Sequence, residues 1–109
     1  MSRIDQLNSL FARELSRLLA REIFLDNGLI TITSVDCSPD LKHAKVGFSV
    51  LPPALTAKAL KLLRRHSRLF NGSLKKKLTL KFIPRFFWVV DHRPERASKI
   101  EETLKELGF

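Results

Sequence analysis

The spacing of the apolar residues changes period partway along the chain, and that change limits the folds open to it. Ile4, Leu7, Leu10, Phe11, Leu15, Leu18 and Leu19 recur at steps of three and four. They therefore share one stripe of an amphipathic helix, with Asp5, Arg13, Arg17 and Arg21 outside it. Ser2 and Asp5 stand at the spacing of a capping box, an aspartate replacing the usual Glu or Gln. Asp26-Asn27-Gly28 stops the helix, and Gly28 is expected to supply the positive φ that helix ends often need. Beyond it the period drops to two. Ile30-Thr31-Ile32-Thr33-Ser34-Val35 alternates and is rich in β-branched residues, which reads as a strand. In a second strand Ala44, Val46, Phe48 and Val50 face one way and Lys45, Gly47 and Ser49 the other. Ser38-Pro39-Asp40 is a turn cluster between them, so the two strands should form an antiparallel hairpin.

Pro52-Pro53 ends the second strand and opens another helix, proline being tolerated in a first turn. There Leu55, Ala59, Leu62 and Leu63 form the inward stripe, while Lys58, Lys61, Arg64, Arg65 and Arg68 lie largely away from it. Asn71-Gly72 interrupts the pattern, so Ser73 to Leu78 is expected as a short second helix at an angle to the first. Leu80-Lys81-Phe82 and Phe86 to Val90 form a third strand broken by Pro84, which implies an edge position or a bulge. Pro94 opens a last helix with Ala97, Ile100, Leu104 and Leu107 inward. Three strands with helices on one face make an α+β two-layer architecture, expected to be a single domain over residues 1–109.

Charge narrows the function. The chain carries a net charge of +9, and the stretch from Leu41 to Val90 holds twelve basic residues and no Asp or Glu. A merely solvated surface mixes both signs. A surface of one sign favours a polyanion, either nucleic acid or an acidic membrane. No apolar run approaches the roughly 20 residues of a membrane span, and the basic stretch lacks an adjacent exposed apolar face. Nucleic acid is the better reading, with an acidic protein partner as the rival class. The candidate phosphate-binding residues are Lys61, Arg64, Arg65, Arg68, Lys75, Lys76, Lys77, Lys81 and Arg85. The lone Cys37 cannot form an internal disulfide, which suits a reducing cytosol.

Enzyme readings find little support. His43, His66 and His92 are scattered, and Gly28, Gly47, Gly72 and Gly108 are too far apart for a phosphate loop. Cys37, Asp36, Asp40 and His43 flank one turn, but a half-buried thiol outweighs a metal clip there. No catalytic residue, metal ligand, cofactor or small-molecule substrate is assigned. Phe82, Phe86, Phe87 and Trp88 could stack on unpaired bases. Core packing is the stronger reading for them, since Phe82, Phe86 and Trp88 share parity on a strand covered by helices.

Taken in order, these segments resemble the ribosome-binding factor A family over nearly the whole chain. The likeness rests on Gly28 to Val35, on Ser38-Pro39-Asp40-Leu41 leading into Ala44-Lys45-Val46 and Phe48-Ser49-Val50, and on Leu78 to Pro84 followed by aromatic residues and Asp91. The resemblance implies a KH-like domain of the prokaryotic type, in the order helix–strand–strand–helix–helix–strand, which the residues also give apart from their added terminal helix. It also implies a non-catalytic cytoplasmic factor, expected as a monomer, that binds the free small (30S) ribosomal subunit. There it would assist 16S rRNA folding and processing, above all during growth in the cold. A general KH-type binder of single-stranded RNA or DNA is the alternative. Where the family has an Ala-x-Gly kink between its central helices, this chain has His66-Ser67-Arg68, and Asn71 stands where an arginine is expected. Gly72 is then the residue left to provide the bend.

Overall fold

The structure, a computed structural model, describes residues 2–94 and Gly108. Helix α1 (Arg3–Glu22) leads into strands β1 (Leu29–Cys37) and β2 (His43–Leu51). A 3-10 turn (Pro53–Leu55) then opens α2 (Thr56–Leu78), and β3 (Arg85–Val90) follows. The sheet order is β1-β2-β3, with β1 antiparallel and β3 parallel to the central β2. The expected terminal helix, with Ala97, Ile100, Leu104 and Leu107, lies outside the described residues.

Local chemistry accounts for the start of α1. The Ser2 hydroxyl accepts from the Asp5 backbone N–H at 3.1 Å, and the Asp5 carboxylate accepts from the Ser2 N–H at 3.3 Å. Both arms of the capping box are therefore formed. The helix ends at Ile23, which is extended, several residues before the expected stop. Asn27, not Gly28, takes the positive φ, at 59°. Gly28 serves a close approach instead: a Cβ there would meet the Leu25 and Leu55 side chains at 2.7 Å.

The β1–β2 hairpin has a bulge. Ile30 and Ile32 face Val50 and Phe48, then the register shifts between Ile32 and Ser34 so that Val35 faces Val46. One inserted residue lets the inward positions 30, 32, 35 and 37 keep to a single face despite the broken alternation. The core beneath that face is Phe11, Leu15, Leu18 and Leu19 of α1, Ala44, Val46, Phe48 and Val50 of β2, Ala59, Leu63, Phe70 and Leu74 of α2, and Phe86 and Trp88 of β3. Helices thus cover one face of the sheet, in the two-layer α+β arrangement the sequence suggests.

Two expectations are corrected. First, α2 runs unbroken through Asn71-Gly72. Phe70 and Leu74 stay buried on the same side as Ala59 and Leu63, so core packing on both sides of the glycine carries the helix across it. Gly72 has no positive φ, and a Cβ there would meet nothing within 4 Å. Gly72→Ala is therefore expected to stabilise the protein by about 0.5–1 kcal/mol, seen as a higher melting temperature. A lower one would mean that the chain bends there. The helix ends at Leu78, as expected, where Thr79 turns left-handed at φ 49°. Second, the strand begins only at Arg85: residues 80–84 are not strand, and Phe82 is 79% exposed instead of joining Phe86 and Trp88 in the core. Pro84, lacking an N–H, precedes the edge strand and leaves the first ladder donor to Arg85.

Candidate nucleic-acid interface

A groove of about 860 Å³ runs between α2 and the β3 edge, lined by Lys42, Arg64, Ser67, Arg68, Asn71, Ile83 and residues 85–88. Three structural features position its cations. On α2, Arg64, Ser67, Arg68 and Asn71 recur at three- and four-residue steps, so they share the flank beside β3. The Asn71 side chain donates to the Pro84 carbonyl at 3.2 Å, pinning the segment that leads into β3. On the hairpin, the Ser38 hydroxyl donates to Asp40 at 2.6 Å, and the Asp40 carboxylate accepts from the Lys42 N–H at 3.0 Å. That turn sets Lys42 beside the start of β3, where its carbonyl accepts from the Arg85 N–H at 3.0 Å.

The backbone of β3 contributes too. Arg85 and Asp91 donate their N–H groups toward β2, so the alternate residues Phe86 and Trp88 turn theirs to the free edge. The Trp88 indole Nε1 is buried with no partner among the described residues. Four cations, two polar side chains and an unpaired strand edge can hold a phosphodiester chain. The cations supply affinity and the polar groups fix its position.

Of the nine residues singled out from the sequence, the groove gathers Arg64, Arg68 and Arg85. Lys61, Arg65 and Lys75 are exposed on α2, and Lys81 is exposed in the segment before β3. Lys76 lines a different hollow, with Arg17, Arg21, Ser73 and Glu14. Lys77 departs furthest from expectation. At about 100° per residue it lies on the same side as Ala59 and Phe70, and its ammonium donates to the buried Glu14 carboxylate at 2.6 Å. Arg17 meets the other Glu14 oxygen at 3.2 Å. Lys77 thus ties α2 to α1, and changing Lys75, Lys76 and Lys77 together would disturb the fold as well as the surface. Lys42 and Phe87 were not singled out as groove residues. Lys42 lies in the same acid-free stretch, but only the pairing of β2 with β3 shows that it meets Arg85.

The acids around the basic stretch are held in place. The Lys77 ammonium keeps the Glu14 carboxyl below the ordinary carboxylate range, against the upward push of burial. At the end of β3, Arg93 grips Asp91 with its side chain, at 2.7 Å for the shortest contact, and with its backbone N–H. Those bonds hold Asp91 well below the usual range. A depressed folded-state pKa adds stability that is present at neutral pH and lost as pH falls through it. The melting temperature should therefore stay level from pH 7 to about 5 and fall below the unfolded glutamate value near 4.5. Glu14→Gln should melt lower at pH 7 and lose less on acidification; an identical pH profile would remove Glu14 from the account.

On the open face of the sheet, Phe87 is 45% exposed. The Arg85 guanidinium lies 5.5 Å from its ring centroid and the His43 ring lies 5.5 Å away. Cys37 is half-buried, and burial together with Asp36 pushes its thiol upward. Among the described residues, no three His, Cys, Asp or Glu side chains converge to hold a metal ion, and no helix is long and apolar enough to cross a membrane.

Comparison with known proteins places this geometry. The fold matches the crystal structure of ribosome-binding factor A from Thermus thermophilus with a TM-score of 0.70, covering 80% of this chain and 93% of that one at 20% identity. A homology model of the Thermus thermophilus factor, fitted into a cryo-EM map of its 30S complex, aligns with a TM-score of 0.62 at 21% identity, over 79% of this chain and 92% of that one. These likenesses show the KH-like fold. In sequence, ribosome-binding factor A of Opitutus terrae is 33% identical over 107 residues, 97% of this chain and 88% of the relative. The factor of Thermodesulfovibrio yellowstonii is 31% identical over 106 residues, 96% of this chain and 90% of the relative. The family model for ribosome-binding factor A matches residues 3–104, so by both sequence and fold this chain belongs to the ribosome-binding factor A family.

Proposed function

We propose that this protein binds the free, immature small ribosomal subunit through its 16S rRNA and assists folding and processing of that RNA, as a cytoplasmic monomer without catalysis of its own. The observation that carries the reading is the groove between α2 and β3, where Lys42, Arg64, Arg68 and Arg85 converge within a stretch that holds no acid. The related Thermus factor has been fitted to a 30S complex, which supports the same particle as partner here. A rigid basic groove neutralises phosphates where RNA segments meet, and it favours whichever RNA fold brings them into register. Binding shifts the RNA only by the difference in affinity between its two folds. Lys61, Arg65, Lys75, Lys76 and Lys81 extend the positive field around the groove and speed encounter.

Co-sedimentation with purified small subunits, large subunits and whole ribosomes tests this. Selective association with free small subunits is the expected result. Equal binding to all three particles would reduce the protein to a general nucleic-acid binder, and binding that survives nuclease treatment would point to an acidic protein instead.

A further inference from the structure

The face of the sheet turned away from α1 and α2 carries an aromatic ring that phosphate binding alone does not use. Phe87 sits on edge strand β3 with its side chain turned away from the core, in contrast to its neighbours Phe86 and Trp88. Core packing does not require a phenyl ring there, since 45% of the residue's surface is exposed. The Arg85 guanidinium lies over the ring, 5.5 Å from its centroid, and the His43 imidazole is tilted against it at a centroid distance of 5.5 Å. Phe87 and Arg85 also line the basic groove, so the groove continues round the β3 edge onto this face. Across the sheet, Lys45 stands between Phe87 and the acid Asp36 of the far strand.

We propose that Phe87 is a stacking platform for one unpaired RNA base, and that the groove therefore takes a single-stranded segment rather than a duplex. This rests on the RNA-binding reading above and names the form of RNA that fits. A π face bordered by cations suits a base whose flanking phosphates need neutralising. A strand can follow the groove past Arg64 and Arg68 and turn one base over the edge onto the ring. The bases of a duplex are stacked on each other and cannot reach it.

The test compares affinity for purified small subunits of the wild type, Phe87→Leu and Phe87→Trp at several salt concentrations, with melting temperatures measured in parallel. Leucine keeps apolar bulk at a half-exposed edge position and removes the π face. It should weaken binding about five- to 150-fold, the effect of losing one stacked base. Because no charge is removed, the slope of affinity against salt should stay at the wild-type value. Phe87→Trp should bind as well as the wild type or better. Leucine binding like phenylalanine, tryptophan failing as leucine does, or a slope that changes in either variant would each overturn the proposal. Should Phe87→Leu not fold, Phe87→Trp decides alone: equal or tighter binding supports stacking, weaker binding overturns it. If the wild type does not bind subunits at all, it is the RNA-binding reading that fails, and the two failures are told apart.

Discussion

Changing Arg64, Arg68 and Arg85 together to glutamine is expected to weaken binding to small subunits by about a hundredfold to a thousandfold while leaving the melting temperature nearly unchanged. All three side chains are exposed, and no ion pair among the described residues uses them. Their removal therefore costs the fold little. Each charge-assisted contact to a phosphate that remains partly hydrated is worth about 1–1.5 kcal/mol, and three of them give the quoted factor. The salt slope should also fall by about 0.7–0.9 for each cation removed. Lys75 and Lys76, which are exposed on α2 outside the groove, should have a smaller effect when changed together to alanine. A folded triple-glutamine variant that binds like the wild type would remove the groove from the account.

Phe70→Ala is expected to destabilise the protein by about 3–5 kcal/mol, measured by urea unfolding. Its side chain is fully buried. It packs edge-on against Trp88 at 6.2 Å and stacks with His66 at 6.0 Å. Since domains of this kind are stable by only about 5–15 kcal/mol, the loss is a large share of the total. The residue also supports the groove from beneath, because Trp88 forms part of the groove wall. A cost below about 1 kcal/mol would mean that α2 does not pack against the sheet at this point and that its continuation past Asn71 is not held by the core.

Where periodicity was unbroken, the elements could be read directly from residue order. The capping pair Ser2 and Asp5, the inward set Ala44, Val46, Phe48 and Val50, and the first half of α2 all declare themselves through local spacing. The misreadings arise where tertiary contacts outweigh local preference. Gly72 weakens a helix in isolation, yet the burial of Phe70 and Leu74 on either side carries α2 through it. Phe82 shares parity with Phe86 and Trp88, but parity predicts a face only within one continuous strand, and the strand begins after Pro84. The site was legible as a charge pattern and not as a geometry. An acid-free stretch identifies the cations, but which of them meet depends on a parallel pairing of β2 with β3 that brings Lys42 to Arg85 from far along the chain. Lys77 shows the same limit from the other side. Only the packing of α1 on α2 shows that its charge is spent on Glu14, sixty-three residues away.

Ultraviolet crosslinking of the protein to bound small subunits, followed by identification of the crosslinked peptides, tests the central claim most directly. The account predicts RNA crosslinks at Lys42, on α2 between Arg64 and Asn71, and at Arg85 to Phe87. Crosslinks confined to α1 or to β1, with those groove segments unmodified, would contradict it.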